Sequence, residues 1–296
     1  MQFLVDTNYK FVTKNRRRIG FAFSIILIII GIVFYFLNGG LNLGIDFKGG
    51  ATFQYKFEQK VDVNKLRDNL KEVGFDRAII QKFGSDKEVL IKVEQGKDST
   101  ELKNYLEKQY AGIELRREEK VGPSIGKDLK RNSFWAVIIA LGGILIYVSW
   151  RFEFKYSVGA ILALVHDVLI TLGAFAIFQF EFDRTVLAAI LMVIGYSLND
   201  TIVVFDRIRE YMRVERPRSD KHYEETVNKA INSSLSRTII TSVTTLLVIV
   251  VLYIAGGQIL HNFSFALLVG ILVGTYSSIF ISSPVLIEAH LKVSND

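Results

Sequence analysis

The sequence predicts a polytopic α-helical membrane protein: six transmembrane helices, with a ferredoxin-like α+β domain of βαββαβ order between helices 1 and 2. Three observations carry this. The 296-residue chain is 50% hydrophobic, with a mean hydropathy of +0.30, and its apolar residues gather into six long runs. A span of ~20 such residues, rising ~1.5 Å each, crosses a hydrocarbon layer of ~30 Å. Lys and Arg crowd into alternate short loops. The one long stretch between runs, 38–133, alternates charge and hydrophobicity at strand and helix periods instead.

Residues 1–18 form a basic terminus carrying Lys10, Lys14, Arg16, Arg17 and Arg18. Span 1, at 19–37, is uncharged. It is longer than a signal-peptide core and no small-x-small cleavage site follows it, so it is expected to stay as an anchor. Spans 2 to 6 are expected at 134–150, 157–180, 186–206, 234–255 and 263–287. Arg151 and Lys155 lie between spans 2 and 3, and Arg207, Arg209, Arg213, Arg216, Arg218, Lys221 and Lys229 lie in 207–233. The opposite short loops offer only Arg184. The positive-inside rule therefore puts residues 1–18 and 288–296 in the cytoplasm and 38–133 outside it. The segment 207–233 is expected as a surface-lying helix or a helical hairpin broken near Pro217, either touching headgroups or a cytoplasmic partner or simply solvated.

There is no cysteine. Disulfides and Cys-based metal or redox sites are excluded, and the outer domain must rely on its core alone. The net charge of +6 largely restates the topological bias and does not point to nucleic acid.

Within the domain, strands are expected at 51–57, 78–83, 88–93 and 113–121, the middle pair joined by a GSDK turn. Helices are expected at 61–73, with Val63, Leu66, Leu70 and Val73 on one face, and at 98–110, with Leu102, Tyr105 and Leu106. This is the split βαβ order. The domain holds no histidine, and its mixed charges read as a solvated surface, so a structural or binding role is expected there. GIDFKGG (44–50) and VGPSIG (121–126) join the domain to the membrane. Gly44, Gly49, Gly50, Gly122, Pro123 and Gly126 are either ordinary linker residues or hinges on which the domain pivots.

Ionisable groups inside spans cost ~2.5–3.5 kcal/mol on insertion scales and so demand partners. Asp200 should sit ~9 Å from the cytoplasmic end of span 4. Arg237 lies at similar depth on the consecutive, antiparallel span 5, so a buried Asp200–Arg237 ion pair is geometrically open, as a proton-coupled switch or as a static helix lock. His166 and Asp167 are adjacent in span 3 and project about 100° apart, so they should not share a surface. Asp167 is expected to face the bundle, and His166 is an accessory relay group or a structural histidine. Gly195, Ser197, Asn199 and Thr201 supply small and polar positions on span 4, for helix packing or for a pathway.

The string IGYSLNDTIVVFDRIRE (194–210) resembles the span-4 signature of the SecF family of bacterial protein-export membrane proteins. SLSRTIITSVTTLL (234–247) is similar to its span-5 signature, and LGIDFKGG (43–50), VGPSIG and LVHDVLITLG (164–173) match in order and spacing. That family resembles one half of a resistance-nodulation-division transporter. The resemblance implies an accessory subunit in the bacterial cytoplasmic (inner) membrane, working with SecD beside the SecYEG translocon and its associated membrane proteins. The proton gradient, rather than a cofactor, would help draw a translocating preprotein outward. It places the relay at Asp200 and Arg237. It implies no enzymatic catalysis, no metal and no nucleic-acid partner; the lipid bilayer is the remaining contact. Two other functions stay open. A non-energetic scaffold would tolerate neutralisation of Asp200, and a proton-coupled small-molecule exporter would call for a second homologous half.

Overall fold

The structure, a computed structural model, describes residues 9–76, 78–94 and 99–295. Residues 1–8 of the expected terminal segment 1–18, Asp296 of the expected segment 288–296, and the expected helix start at Asp98 lie outside these residues. Among the described residues, six helical runs are long and apolar enough to cross a membrane. They comprise α1 (Lys14–Leu37), α5 (Pro123–Arg151), α6 (Phe154–Phe178), α7 (Arg184–Glu215), α8 (Asp220–Ala255) and α9 (Gly257–Ser277). The last continues through a π-helical turn (Ser278–Ser282) into α10 (Ser283–Asn295). Local chemistry sets the helix starts. Asp183 caps α7 by accepting from the Thr185 and Val186 amides, Ser219 caps α8 through the His222 amide, and Pro123 takes the first turn of α5.

The central helices α6, α7 and α9 are the most buried, whereas α1, α5 and α8 turn apolar side chains such as Ile29, Ile139 and Val251 outward. Such a surface suits hydrocarbon rather than water. One core cluster, with Phe152, Tyr156, Phe205 and Tyr223, lies toward the end carrying the termini. A second, with Phe175, Phe182, Ile190 and Ile271, lies toward the globular domain. Helix α1 docks through small residues. A Cβ on Gly31 would stand 2.7 Å from the Gly173 Cα of α6. Buried Arg17 ties the same helix to α8 and α10, meeting Glu224 at 2.6 Å and Glu288 at 3.1 Å.

The domain follows α1 and begins with a short helix, α2 (Ile45–Lys48). Then come β1 (Gly50–Lys56), α3 (Val63–Glu72), β2 (Ile79–Phe83), β3 (Ser85–Glu94), α4 (Ser99–Gln109) and β4 (Glu114–Val121). The sheet order is β2-β3-β1-β4, antiparallel throughout, which is the ferredoxin-like arrangement. Alternate residues of β1 and β3 (Phe53, Tyr55, Val89, Ile91) meet Leu66 and Leu70 of α3 and Leu102 and Leu106 of α4 in a closed core.

Three local expectations are corrected. GIDFKGG is not a linker: its middle is α2, with Ile45 and Phe47 buried. VGPSIG is not a linker either, because α5 starts at Pro123 and so extends well beyond the apolar run at 134–150. GSDK is not a four-residue turn: only Gly84 (φ +67°) turns, and β3 begins at Ser85 through a bulge that pairs Phe83 with Ser85. Segment 207–233 takes the hairpin form. It comprises the ends of α7 and α8 around a turn at left-handed Arg216. The Lys229–Glu215 pair at 2.9 Å closes that hairpin.

The domain is docked on the bundle. Leu43 and Phe182 form a parallel bridge, with Gly44 N donating to the Phe182 carbonyl at 2.9 Å. Lys92 of β3 reaches both carboxylate oxygens of buried Glu181, at 3.0 and 2.8 Å. Arg184 lies 3.7 Å from both Asp46 and Glu119.

Candidate functional site

The polar centre of the bundle is built from α6, α7, α8 and α9. On α7, Asp200 and Thr201 lie three and four residues after Ser197, so one stripe of the helix turns inward and all three are buried. Gly195 and Asn199 are four apart on the opposite stripe and are exposed. The four expected packing positions therefore divide, Ser197 and Thr201 within the bundle and Gly195 and Asn199 facing out.

Asp200 is 2% exposed. Its Oδ2 accepts from Ser242 Oγ of α8 at 3.4 Å, and that hydroxyl lies 2.7 Å from Thr275 Oγ1 of α9. The expected ion pair with Arg237 is not formed. Arg237 is exposed on the outer face of α8, and among the described residues no basic side chain lies within 4 Å of the Asp200 carboxylate. Depth along consecutive helices does not fix rotation about the helix axis. On α8 it is Thr238 and Ser242, four residues apart, that turn inward. The hydroxyls of Thr201 and Thr238 are buried without a hydrogen-bond partner.

Asp167 occupies a denser site. It is fully buried, and its Oδ2 accepts from Ser197 Oγ at 2.5 Å and from Ser277 Oγ at 2.9 Å. Its Oδ1 lies 2.9 Å from His166 Nδ1. The two adjacent side chains do meet, contrary to the expectation from their angular separation. The His166 ring lies partly parallel to Tyr276, with centroids 6.1 Å apart and planes at 29°. Tyr276 in turn donates to the Gly20 carbonyl of α1 at 2.9 Å. Sequence reasoning missed Ser277. Its signal, the serine-rich GTYSSIFISS of the last span, was no stronger than that of the other hydroxyl-rich runs.

Close helix contact makes this geometry possible. A Cβ at Gly274 would meet Ser197 Cβ at 2.9 Å, so glycine lets α9 approach α7 where Ser197 reaches Asp167. Chemically the region offers two buried carboxylates, an imidazole and a string of hydroxyls, which can hold and pass a proton. Among the described residues no group of three or more His, Cys, Asp or Glu is arranged to hold a metal ion.

The six expected hinge positions flank the domain. Gly44 approaches Glu181, where a Cβ would stand 2.8 Å from Oε1, and Gly49 has φ +85°. Gly50 opens β1, Gly122 caps α5, Pro123 follows it, and Gly126 lies under the Phe47 carbonyl, 2.9 Å from where its Cβ would be. The chain's entry to the domain and its exit thus touch each other.

Comparison with known proteins agrees with this architecture. The family model for the C-terminal part of the protein export membrane proteins SecD/SecF matches residues 101–292, and that for the SecD/SecF GG motif matches 34–61. Protein translocase subunit SecF of Rhodothermus marinus is 42% identical over 306 residues, covering 99% of this chain and 97% of the relative. The corresponding subunit of Pseudomonas aeruginosa is 44% identical over 279 residues, covering 93% and 90%. The crystal structure of SecDF from Thermus thermophilus, a translocon-associated membrane protein, superposes with a TM-score of 0.82 at 38% identity, and SecDF in its super-membrane-facing form with 0.76. In both, 99% of this chain is covered but only 40% of the SecDF chain. With a family match over more than half its length, and close relatives along nearly all of it, this chain belongs to the SecD/SecF family as a SecF-type member.

Proposed function

We propose that the chain is a non-enzymatic accessory subunit of the Sec protein-translocation machinery. It sits in the bacterial cytoplasmic membrane with both termini inside and the ferredoxin-like domain (within 38–133) outside. There it acts with SecD, beside SecYEG, to let the proton motive force promote preprotein export. The observation that carries the energetic part is Asp200: a carboxylate within a membrane span, 2% exposed, held among the described residues by one neutral hydroxyl and by no cation within 4 Å. Gain or loss of one proton there switches a charge in a region of low dielectric, which is costly enough to favour a different helix arrangement. Arg237, on the outer face of α8, is assigned to the same relay as a cation facing the partner subunit. The glycines at 44, 49, 50, 122 and 126, with Pro123, are assigned as the pivots that carry the movement to the domain.

The test is pulse-chase export of a Sec-dependent preprotein in cells whose only copy carries Asp200→Asn, with membrane abundance and SecD co-purification checked. Slowed export by an assembled complex is the expected result. Unchanged export would refute the relay and leave a non-energetic scaffold, for which the docked domain and its ion pairs are sufficient.

A further inference from the structure

The two carboxylates are partnered differently. Asp200 has a single, long hydrogen bond, whereas Asp167 has three partners from three helical elements. A carboxylate can only accept, so in the ionised pair His166 Nδ1 carries a hydrogen and Nε2 is a bare lone pair. That Nε2 is buried and has no hydrogen-bond partner. A buried unsatisfied polar atom is costly and calls for an explanation.

A proton supplies it. On Nε2 it would turn the net anionic pair into a neutral imidazolium–carboxylate, with both groups already in place. The groups around it are few. Asp167 is on the same helix, α9 brings the Tyr276 ring, and α7 brings Asp200 one turn beyond Ser197. Of the charged residues on α1, α5 and α10, Arg17, Arg151 and Glu288 are engaged at the end of the bundle carrying the termini, with Glu224, Asp206 and each other. A sodium ion fits less well, because both Asp167 oxygens already receive donors.

We infer that the His166–Asp167 pair is a second proton-binding site, separate from Asp200, with His166 Nε2 as the accepting atom. Ser197 and Ser277 carry its charge state to α7 and α9. Ser277 has one hydroxyl proton and two acceptors in reach, Asp167 Oδ2 at 2.9 Å and the Gly274 carbonyl at 3.1 Å, so it can follow the charge on Asp167. Ser197 is one turn from Asp200, which puts the two sites on one rigid segment. The role in coupling rests on the function proposed above; the proton binding itself does not.

The experiment is solid-state NMR of the full chain, labelled with ¹⁵N-histidine and co-assembled with SecD in lipid nanodiscs. The signal of His166, one of four histidines, is assigned by its loss in His166→Gln. In alkaline samples the ring should carry hydrogen on Nδ1 only. Acidifying the sample should protonate Nε2, and replacing K⁺ by Na⁺ at fixed pH should change nothing. Asp167→Leu, which removes the acceptor at similar size, should abolish the fixed Nδ1–H tautomer, a change that a merely space-filling Asp167 would not produce. Nε2 remaining bare throughout, or responding to Na⁺, overturns the inference. If Asp200→Asn blocks export while Nε2 never protonates, this inference falls and the relay at Asp200 stands. If Nε2 protonates and Asp200→Asn exports normally, the relay falls and the proton site stands.

Discussion

Replacing Glu181 by Gln tests what holds the domain to the bundle. The Glu181 side chain is 7% exposed and the Lys92 side chain 15%, and the ammonium bonds both carboxylate oxygens. The amide keeps the shape, removes the charge and leaves one acceptor for Lys92. Breaking a fully buried pair costs ~3–5 kcal/mol, while an exposed pair is worth ~0–1 kcal/mol. Lys92 keeps some access to water, so the cost should lie between these limits, about 2 kcal/mol. At 1.4 kcal/mol per factor of ten, that lowers the ratio of docked to undocked domain by about 30-fold. Electron–electron distance measurements would read it, with spin labels at exposed Lys108 on α4 and Ile254 at the end of α8. Glu181→Gln should add a second, longer distance, and the exchanged pair Lys92→Glu with Glu181→Lys should restore the single one. An unchanged distance in Glu181→Gln would refute the reasoning, and the strand bridge at Leu43–Phe182 with the Arg184 contacts would then be what fixes the domain.

Other perturbations act at separate places. Gly31→Val should destabilise the chain by ~1–3 kcal/mol, since its Cβ would stand 2.7 Å from the Gly173 backbone and α1 must move out. Thermal unfolding in detergent would show a lower midpoint, with Gly173→Ala, at 3.1 Å, milder. Leu70→Ala, at a fully buried core position, should cost ~2–5 kcal/mol and expose the domain to protease within the intact chain. On the domain surface, hydrogen bonds from Lys60 and Lys82 hold the Asp86 carboxyl down from its ordinary 3.8 to about 2. A depressed carboxyl stabilises above its unfolded value and loses that contribution as pH falls through about 2. Acid titration followed by NMR should place Asp86 in that window, and Asp86→Asn should remove the dependence there.

Much of this was legible in the residues. Uncharged runs such as 19–37 announce spans because water cannot compensate them, and the 3.6- and 2-residue periods around Leu66, Leu70, Phe53 and Ile91 give the domain its order. Asp200 stood out because a carboxylate in an apolar run is costly wherever it points. What did not follow was rotation about helix axes. Arg237 and Asp200 share a depth but not a facing surface. His166 and Asp167 leave the helix at different angles, yet their side chains meet. Segment 44–50 was misjudged because its glycines read as slack, although Ile45 and Phe47 between them are buried.

The π-helical turn at Ser278–Ser282 sets the phase of everything that follows it. Its Ser278 carbonyl accepts the Ser282 and Ser283 hydroxyls, at 2.7 and 3.0 Å. A turn of i to i+5 spacing lodges one residue more than an α-helical turn. Ser277 and Ser282, five apart, therefore both address α6, the first at Asp167 and the second with its carbonyl over Gly159. Deleting one residue inside the turn would leave a continuous helix of nearly the same length while indexing α10 by a full residue, about 100°. Glu288 would swing off Arg17, uncoupling the last helix from the first without touching the buried carboxylates.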